Sequence, residues 1–382
     1  MIRDTKRTSR IALLIQFFLF GFMFSSLLAR FPALKELFHM SAAELSFVPF
    51  FMSVGSLIIM PFCAYIIGRY GSKKTSITGY LPILFLPLIL LMPNIFLLYT
   101  GCMLFGASVG ISDVAINANS LVVEKAYKRP IIGLFHAFFY VGMFSGALLS
   151  ILFLVNEIDI RIHLAAINGV ALVTFFFIRR YFLNETPSAK VQNDFKITIP
   201  KGTLLTIALV ALCGRIIEGG ISDWSTVYMN EIVKISATYA PAGLAIYAVF
   251  ISVGRFFGDS VRAMYGDVKV LVASCIITAI GLGMMISVSH IAVVIAALFI
   301  CGLGVSCLVP IIYSIAGKRK DVSPGVGLAT VNTISGTGFL LGPSVIGFIA
   351  EKSSLRVSFL YVLVLALIMT WLARTYQQKS AQ

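Results

Sequence analysis

Acidic side chains are scarce in this chain: 16 Asp and Glu among 382 residues, against 30 Lys and Arg. All charged residues together reach only 12%, about half the share usual for a water-soluble domain. The six cysteines, Cys63, Cys102, Cys213, Cys275, Cys301 and Cys307, fall in apolar runs and form no CxxC pair. They read as small packing residues rather than metal ligands or a disulfide framework. There is no HExxH, no GxxxxGK[ST] and no hydrolytic triad, so the sequence does not describe an enzyme and calls for no cofactor. The paired glycines Gly281/Gly283 and Gly302/Gly304 lie within apolar stretches, where helix packing explains them better than phosphate binding.

Apolar sequence is what the chain has in quantity. Hydrophobic residues make up 59% and recur in runs of about twenty, the length that crosses a bilayer as a helix. The runs predict an all-α membrane protein with twelve spans: 11–31, 45–67, 77–92, 96–122, 131–155, 163–178, 203–229, 240–261, 270–289, 291–316, 324–350 and 356–376. These use nearly the whole chain and leave no room for a soluble catalytic domain. The first span follows ten polar residues without a small-residue cleavage site and is expected to be retained.

The net charge of +14 would suit a nucleic-acid partner, but its placement excludes that reading. With the N-terminus in the cytoplasm, most Lys and Arg fall in cytoplasmic segments, among them Lys6, Arg10, Arg69, Lys73, Lys74, Lys125, Arg179, Arg180, Arg262 and Lys318. Few, such as Arg30, Lys35 and Arg161, fall outside, and Arg215 and Arg255 lie within spans. The positive-inside rule therefore places both termini in the cytoplasm. The most polar internal stretch divides the spans six and six, giving an N-terminal bundle over 1–183, a linker over 184–202 and a C-terminal bundle over 203–382. Weak self-similarity supports two pseudo-symmetric bundles. Arg69-Tyr70-Gly71 resembles Met264-Tyr265-Gly266, and Gly142-xxx-Gly146 superposes on Gly338-xxx-Gly342, both at offsets of about 195 residues.

This arrangement resembles the major facilitator superfamily over essentially the whole chain. Shorter strings are similar to the YbjJ branch near the fucose permease group: Arg30-Phe31-Pro32-Ala33-Leu34-Lys35, the Asp113/Asn117/Glu124 pattern, Phe135-His136-Ala137, Glu218-Gly219-Gly220-Ile221-Ser222-Asp223-Trp224-Ser225, and Gly254-Arg255-Phe256-Phe257-Gly258-Asp259. The resemblance implies a two-bundle transporter of the bacterial inner membrane working by alternating access. The family's loop motif appears as Ala64 to Lys74 with its aspartate missing. The cytoplasmic gate, Arg69, Arg255 and Asp259, is then expected to depend on Arg255 and Asp259, one helical turn apart. Span five also lacks the Gly-Pro of the antiporter signature, which leans against drug/proton exchange.

The residues that could carry mechanism start with span four. At about 100° per residue, Asp113, Asn117, Ser120 and Glu124 form one polar stripe, and lipid does not tolerate such a stripe at depth. Asp113 is the candidate proton-binding carboxylate or else a hydrogen-bonded bridge to a neighbouring helix. Asn117 contacts solute or joins helices, and Glu124 is expected to pair at the surface with Lys125 and Lys128. His136 on the next span is a proton relay or a neutral bridge, with Tyr140 one turn further on the same face. In span seven, Arg215 and Glu218 either neutralise each other or respond to proton and solute. Asp223 and Trp224 could grip a sugar, although Trp also favours membrane interfaces. Asn332 is the counterpart of His136 under the repeat. The resulting expectation is a proton-coupled symporter, monomeric, for a small polar solute such as a sugar or related metabolite. Asp113, Glu218 and His136 bear the proton coupling; Asn117, Tyr140, Arg215, Asp223, Trp224 and Asn332 line the cavity. The alternatives are a proton-driven exporter of amphipathic compounds and a non-transporting membrane sensor.

Overall fold

A computed structural model describes residues 2–80, 91–92, 94–128, 131–183, 201–318 and 324–380. The described residues are nearly all helical and contain no strand. In chain order the helices are α1 (Ile2–Leu28), α2 (Phe31–Leu37), α3 (Ala42–Tyr70), α4 (Ser72–Tyr80), α5 (Ile95–Tyr127), α6 (Ile132–Val155) and α7 (Ile160–Ile178). They continue as α8 (Gly202–Glu231), α9 (Ala242–Tyr265), α10 (Asp267–Ser287), α11 (Ile291–Ser306), α12 (Leu308–Gly317), α13 (Pro324–Lys352) and α14 (Leu355–Ser380). Among the described residues, eleven segments are long and apolar enough to span a membrane, with α11 and α12 together forming one of them. Of the twelve expected spans, 77–92 falls mostly outside the described residues, as does most of the linker, 184–200.

Local sequence explains the helix ends. The Asn94 side chain accepts the Leu97 amide (3.0 Å) and starts α5, and Asp159 does the same for α7 through Arg161 (2.7 Å). Ser41 and Glu44 form a reciprocal capping box at the head of α3. Arg30, Phe31 and Pro32 end the first span earlier than the apolar run suggests, because Pro is welcome in the first turn of a new helix and α2 begins there.

By contact, the chain forms two compact units, one comprising Met1–Met40 and Phe47–Asn193, the other Ser41–Ser46 and Asp194–Gln382. Each contains the same tight helix pair. In the first unit a Cβ at Gly142 would strike the Phe18 carbonyl, and one at Gly146 the Phe22 carbonyl, so α1 and α6 meet backbone to backbone. In the second, Gly338 lies against Leu212 and Gly342 against Ile216, joining α13 to α8. Helices in lipid gain little from hydrophobic burial against each other, so close van der Waals approach at small residues is what holds such pairs. The other repeated string is equally concrete. Gly71 (φ +80°) and Gly266 (φ +83°) both take the left-handed conformation at the joints α3/α4 and α9/α10, which glycine adopts without steric cost.

Candidate solute and proton site

The polar stripe on α5 is real but is not one track. Asn117 Nδ2 donates to both the Asp113 carbonyl (2.9 Å) and Asp113 Oδ1 (3.0 Å), so the two residues form a local unit that fixes the carboxylate. Both are half-buried, whereas Ser120 is enclosed and donates back to the Asn117 carbonyl (2.7 Å). Glu124 departs from the surface ion pair expected of it. Its carboxylate accepts the amides of Ile131 (2.7 Å) and Ile132 (3.0 Å) at the head of α6. First-turn amides have no partner within their own helix and carry the positive end of its dipole, so they hold a carboxylate better than two exposed lysines do. On α6, His136 meets the edge of the Phe17 ring (5.3 Å), beside the stacked pair Phe17 and Phe135 (5.6 Å). Tyr140 is buried one turn on.

In the second unit the charges gather around Glu218. Arg215, three residues earlier on α8, and Arg255 on α9 each approach its carboxylate to 3.6 Å. The Arg255 and Glu218 side chains are only 7% and 5% exposed, and that of Arg215 21%. Arg215 also lies over the Phe339 ring at 5.0 Å. Arg255 therefore does not pair with Asp259 as its spacing suggests. Asp259, 67% exposed, pairs with Arg262 (2.9 Å), which also holds Asp267 (2.9 Å), and Asp267 accepts from Ser314 and Lys318. A buried guanidinium needs a counter-ion that is itself withdrawn from water, and Glu218 supplies it. Arg69, the remaining gate candidate, is exposed and donates to the Tyr65 hydroxyl (2.8 Å).

Trp224 is fully enclosed and so does not sit at an interface. Asp223 beside it is 5% exposed. Asn332 is exposed and accepts the Tyr313 hydroxyl (2.6 Å).

Two buried polar residues escaped sequence reasoning. Asn119 points away from Asn117 and donates to Ser72 Oγ (3.0 Å) and the Leu183 carbonyl (3.1 Å), pinning α4 and residue 183 to α5. Arg30 donates to His163 Nδ1 (3.0 Å) and the Ile158 carbonyl (2.9 Å). Burial lowers the Arg30 pKa, and the nearby Asp159 charge opposes that. The signal for Arg30 was its place: one of the few cations off the basic side of the chain, two residues before Pro32 at the end of an apolar run.

The family model described as Major Facilitator Superfamily matches residues 13–319 and 207–382. The chain belongs to the Major Facilitator Superfamily. It is therefore a membrane transporter protein by family, not an enzyme. An uncharacterized MFS-type transporter of Yersinia pestis is 29% identical over 365 residues, covering 94% of each chain. Membrane protein MosC of Rhizobium meliloti is 25% identical over 369 residues, 95% of this chain and 89% of that one. Among solved structures, the nucleoside transporter NupG superposes with a TM-score of 0.71 at 14% identity, over 98% of this chain and 99% of that one. A single-substitution variant of the E. coli fucose:proton symporter FucP gives 0.66 at 14%, over 96% and 98%. At such identities the likeness is one of fold.

Proposed function

We propose that this transporter moves a small polar solute, a sugar or related metabolite, across the bacterial inner membrane by proton-coupled alternating access, with both termini cytoplasmic. One observation carries the reading: each unit keeps a carboxylate in the middle of a membrane-spanning helix and surrounds it with side chains that answer to its charge. In the first unit Asp113 is fixed by Asn117. In the second Glu218 is flanked by Arg215 and Arg255. Carboxylates at such depth are costly to keep and are typical of proton pathways in pumps and transporters. Asp113 is the proton-binding carboxylate of the first unit, and His136 on α6, packed against Phe17, is the proton relay of the same unit. Glu218 is the charge that Arg215 and Arg255 follow when proton or solute binds. Asn117 and Tyr140 are the hydrogen-bonding side chains that the first unit offers a hydroxylated solute, and Arg215 is the one that the second unit offers. Arg255 belongs with Glu218 in this scheme, leaving Arg69 and the Asp259–Arg262–Asp267 chain to the cytoplasmic gate. The fold shared with a fucose:proton symporter and a nucleoside transporter agrees with a polar solute.

Asp113→Asn tests it. The carboxamide retains an oxygen to accept from Asn117 but cannot titrate, so the variant keeps its fold. In proteoliposomes screened against sugars and nucleosides, proton-driven uptake falls to the passive level while solute exchange without a gradient continues. Full proton-driven uptake by Asp113→Asn would remove Asp113 from the coupling.

A further inference from the structure

The end of α7 is fastened by three other helices. A single 3-10 turn, Arg179–Tyr181, continues it, and the carbonyls there are taken in succession. Lys73 Nζ of α4 donates to the Arg180 carbonyl (3.3 Å), Ser9 Oγ of α1 to the Tyr181 carbonyl, and Asn119 Nδ2 of α5 to the Leu183 carbonyl (3.1 Å). Carbonyls at a helix end lack partners within the helix and carry the negative end of its dipole, so they draw donors and cations. The arrangement brings Lys73 beside the two arginines of the turn, at the point where the expected linker begins.

Those cations have no counter-ion. The Arg179 guanidinium lies over the Phe176 ring (4.3 Å) and that of Arg180 over the Tyr181 ring (4.8 Å). Among the described residues no carboxylate pairs with Arg179, Arg180 or Lys73. The described acidic side chains of the first unit are occupied or distant. Glu124 holds the amides at the head of α6, and Asp113 is fixed by Asn117 in mid-helix. Glu157 and Asp159 lie at the opposite end of α7, about 30 Å away along the helix, and Glu36 belongs to α2, beyond the far end of α1. A guanidinium laid on a ring face keeps its in-plane N–H groups for an oxyanion such as phosphate.

The surface leading to these cations is apolar. Ile162, Val170, Val173, Phe176 and Phe177 are 57–62% exposed and fall on one stripe of α7 at helical spacing. Gly169 leaves a shallow place in that stripe, since nothing lies within 4 Å of its Cβ position. An apolar stripe ending in three uncompensated cations matches an amphiphile with an anionic head; a free phosphate would have no use for the stripe. We propose that one anionic phospholipid binds here, its phosphate held by Arg179, Arg180 and Lys73 and its acyl chains lying along the exposed stripe of α7. Bound there, the lipid neutralises the cations gathered at the foot of α7 and steadies the segment from which the linker leaves. The site is separate from Asp113 and Glu218, and it stands whether or not protons are coupled.

Native mass spectrometry of the full-length protein tests this, with dioleoylphosphatidylglycerol as the anionic probe and dioleoylphosphatidylcholine as the zwitterionic one. The unmutated protein is expected to keep one phosphatidylglycerol under activation that strips phosphatidylcholine. Lys73→Gln/Arg179→Gln/Arg180→Gln should weaken that binding about tenfold to a hundredfold, each cation near an anionic head group contributing about fivefold. Lys201→Gln/Lys269→Gln/Arg374→Gln removes the same charge from exposed positions and should keep the lipid. Retention by the first triple variant, or equal loss in both, overturns the site. Melting of the unmutated protein in detergent gives a second reading that does not depend on any variant folding. Phosphatidylglycerol should raise the Tm more than phosphatidylcholine does, and sn-glycerol 3-phosphate at the same concentration should not raise it. Equal gains from the two lipids, or a gain from glycerol phosphate as large as the lipid's, contradict an anionic lipid at this site.

Discussion

Glu218→Ala is expected to be among the most damaging single substitutions in the second unit. It leaves Arg215 and Arg255 facing each other without the carboxylate that each now approaches to 3.6 Å. Removing one partner of a buried ionic set costs about 3–5 kcal/mol, because the charges left behind lose their compensation rather than because the pair itself is strong. The apparent Tm in detergent should fall by about 4–6 °C, to judge by globular proteins of comparable size. Glu218→Gln keeps the shape and one acceptor oxygen and should lose less stability, yet lose solute-coupled proton movement as completely. The geometry makes a sharper forecast for the pair. If Arg255 is held by Glu218 rather than by Asp259, Glu218→Gln combined with Arg255→Gln recovers part of the stability lost by Glu218→Gln alone, whereas Asp259→Asn combined with Arg255→Gln shows simple additivity. Differential scanning fluorimetry on the single and double variants reads both results. Coupling to Asp259 instead would return Arg255 to the gate that its sequence spacing suggests.

Gly142→Leu should be worse still, and for a reason unrelated to charge. A Cβ at residue 142 would collide with the Phe18 carbonyl, and α1 cannot withdraw from α6 without also giving up the contacts at Gly21 and Gly146. Overpacking of a well-fitted core costs about 1–3 kcal/mol per small insertion and more where backbone must move. Gly142→Ala should therefore lower the Tm measurably, and Gly142→Leu should yield little monodisperse protein in size-exclusion chromatography. Gly169 in α7 is the control: nothing lies within 4 Å of its Cβ position, so Gly169→Ala should be neutral or stabilising by up to about 1 kcal/mol through helix propensity. Equal tolerance at 142 and 169 would mean that the α1–α6 pair is looser than it looks.

Much of the architecture was legible because bilayer physics leaves so few options. An apolar run of the right length must be a helix, since a backbone group without a partner in lipid is too costly, and the helices run close to where the hydropathy put them. The repeat was legible in two short strings whose glycines turn out to be constrained in matching ways: Gly71 and Gly266 by a left-handed turn, Gly142 and Gly338 by close helix approach. Partner choice was not legible. Spacing along one helix made Asp259 the obvious neighbour of Arg255 and made two lysines the obvious neighbours of Glu124, but spacing says nothing about the next helix. Glu124 reaches the open amides of α6, and Arg255 reaches Glu218, because buried or helix-end groups compete better for a charge than solvated side chains do. Trp224 misled for a similar reason. An indole near a helix end usually marks an interface, yet its environment is set by α8 lying deep among its neighbours.

The central claim is that solute and protons cross together. Purified transporter in proteoliposomes, without any imposed gradient, can be given candidate sugars, nucleosides and related metabolites while a pH-sensitive dye reads the external medium. For the transported solute the medium should turn alkaline as protons enter with it, and the signal should vanish in Asp113→Asn and Glu218→Gln. Solute accumulation with no pH change, or accumulation driven by a sodium gradient alone, would contradict the account.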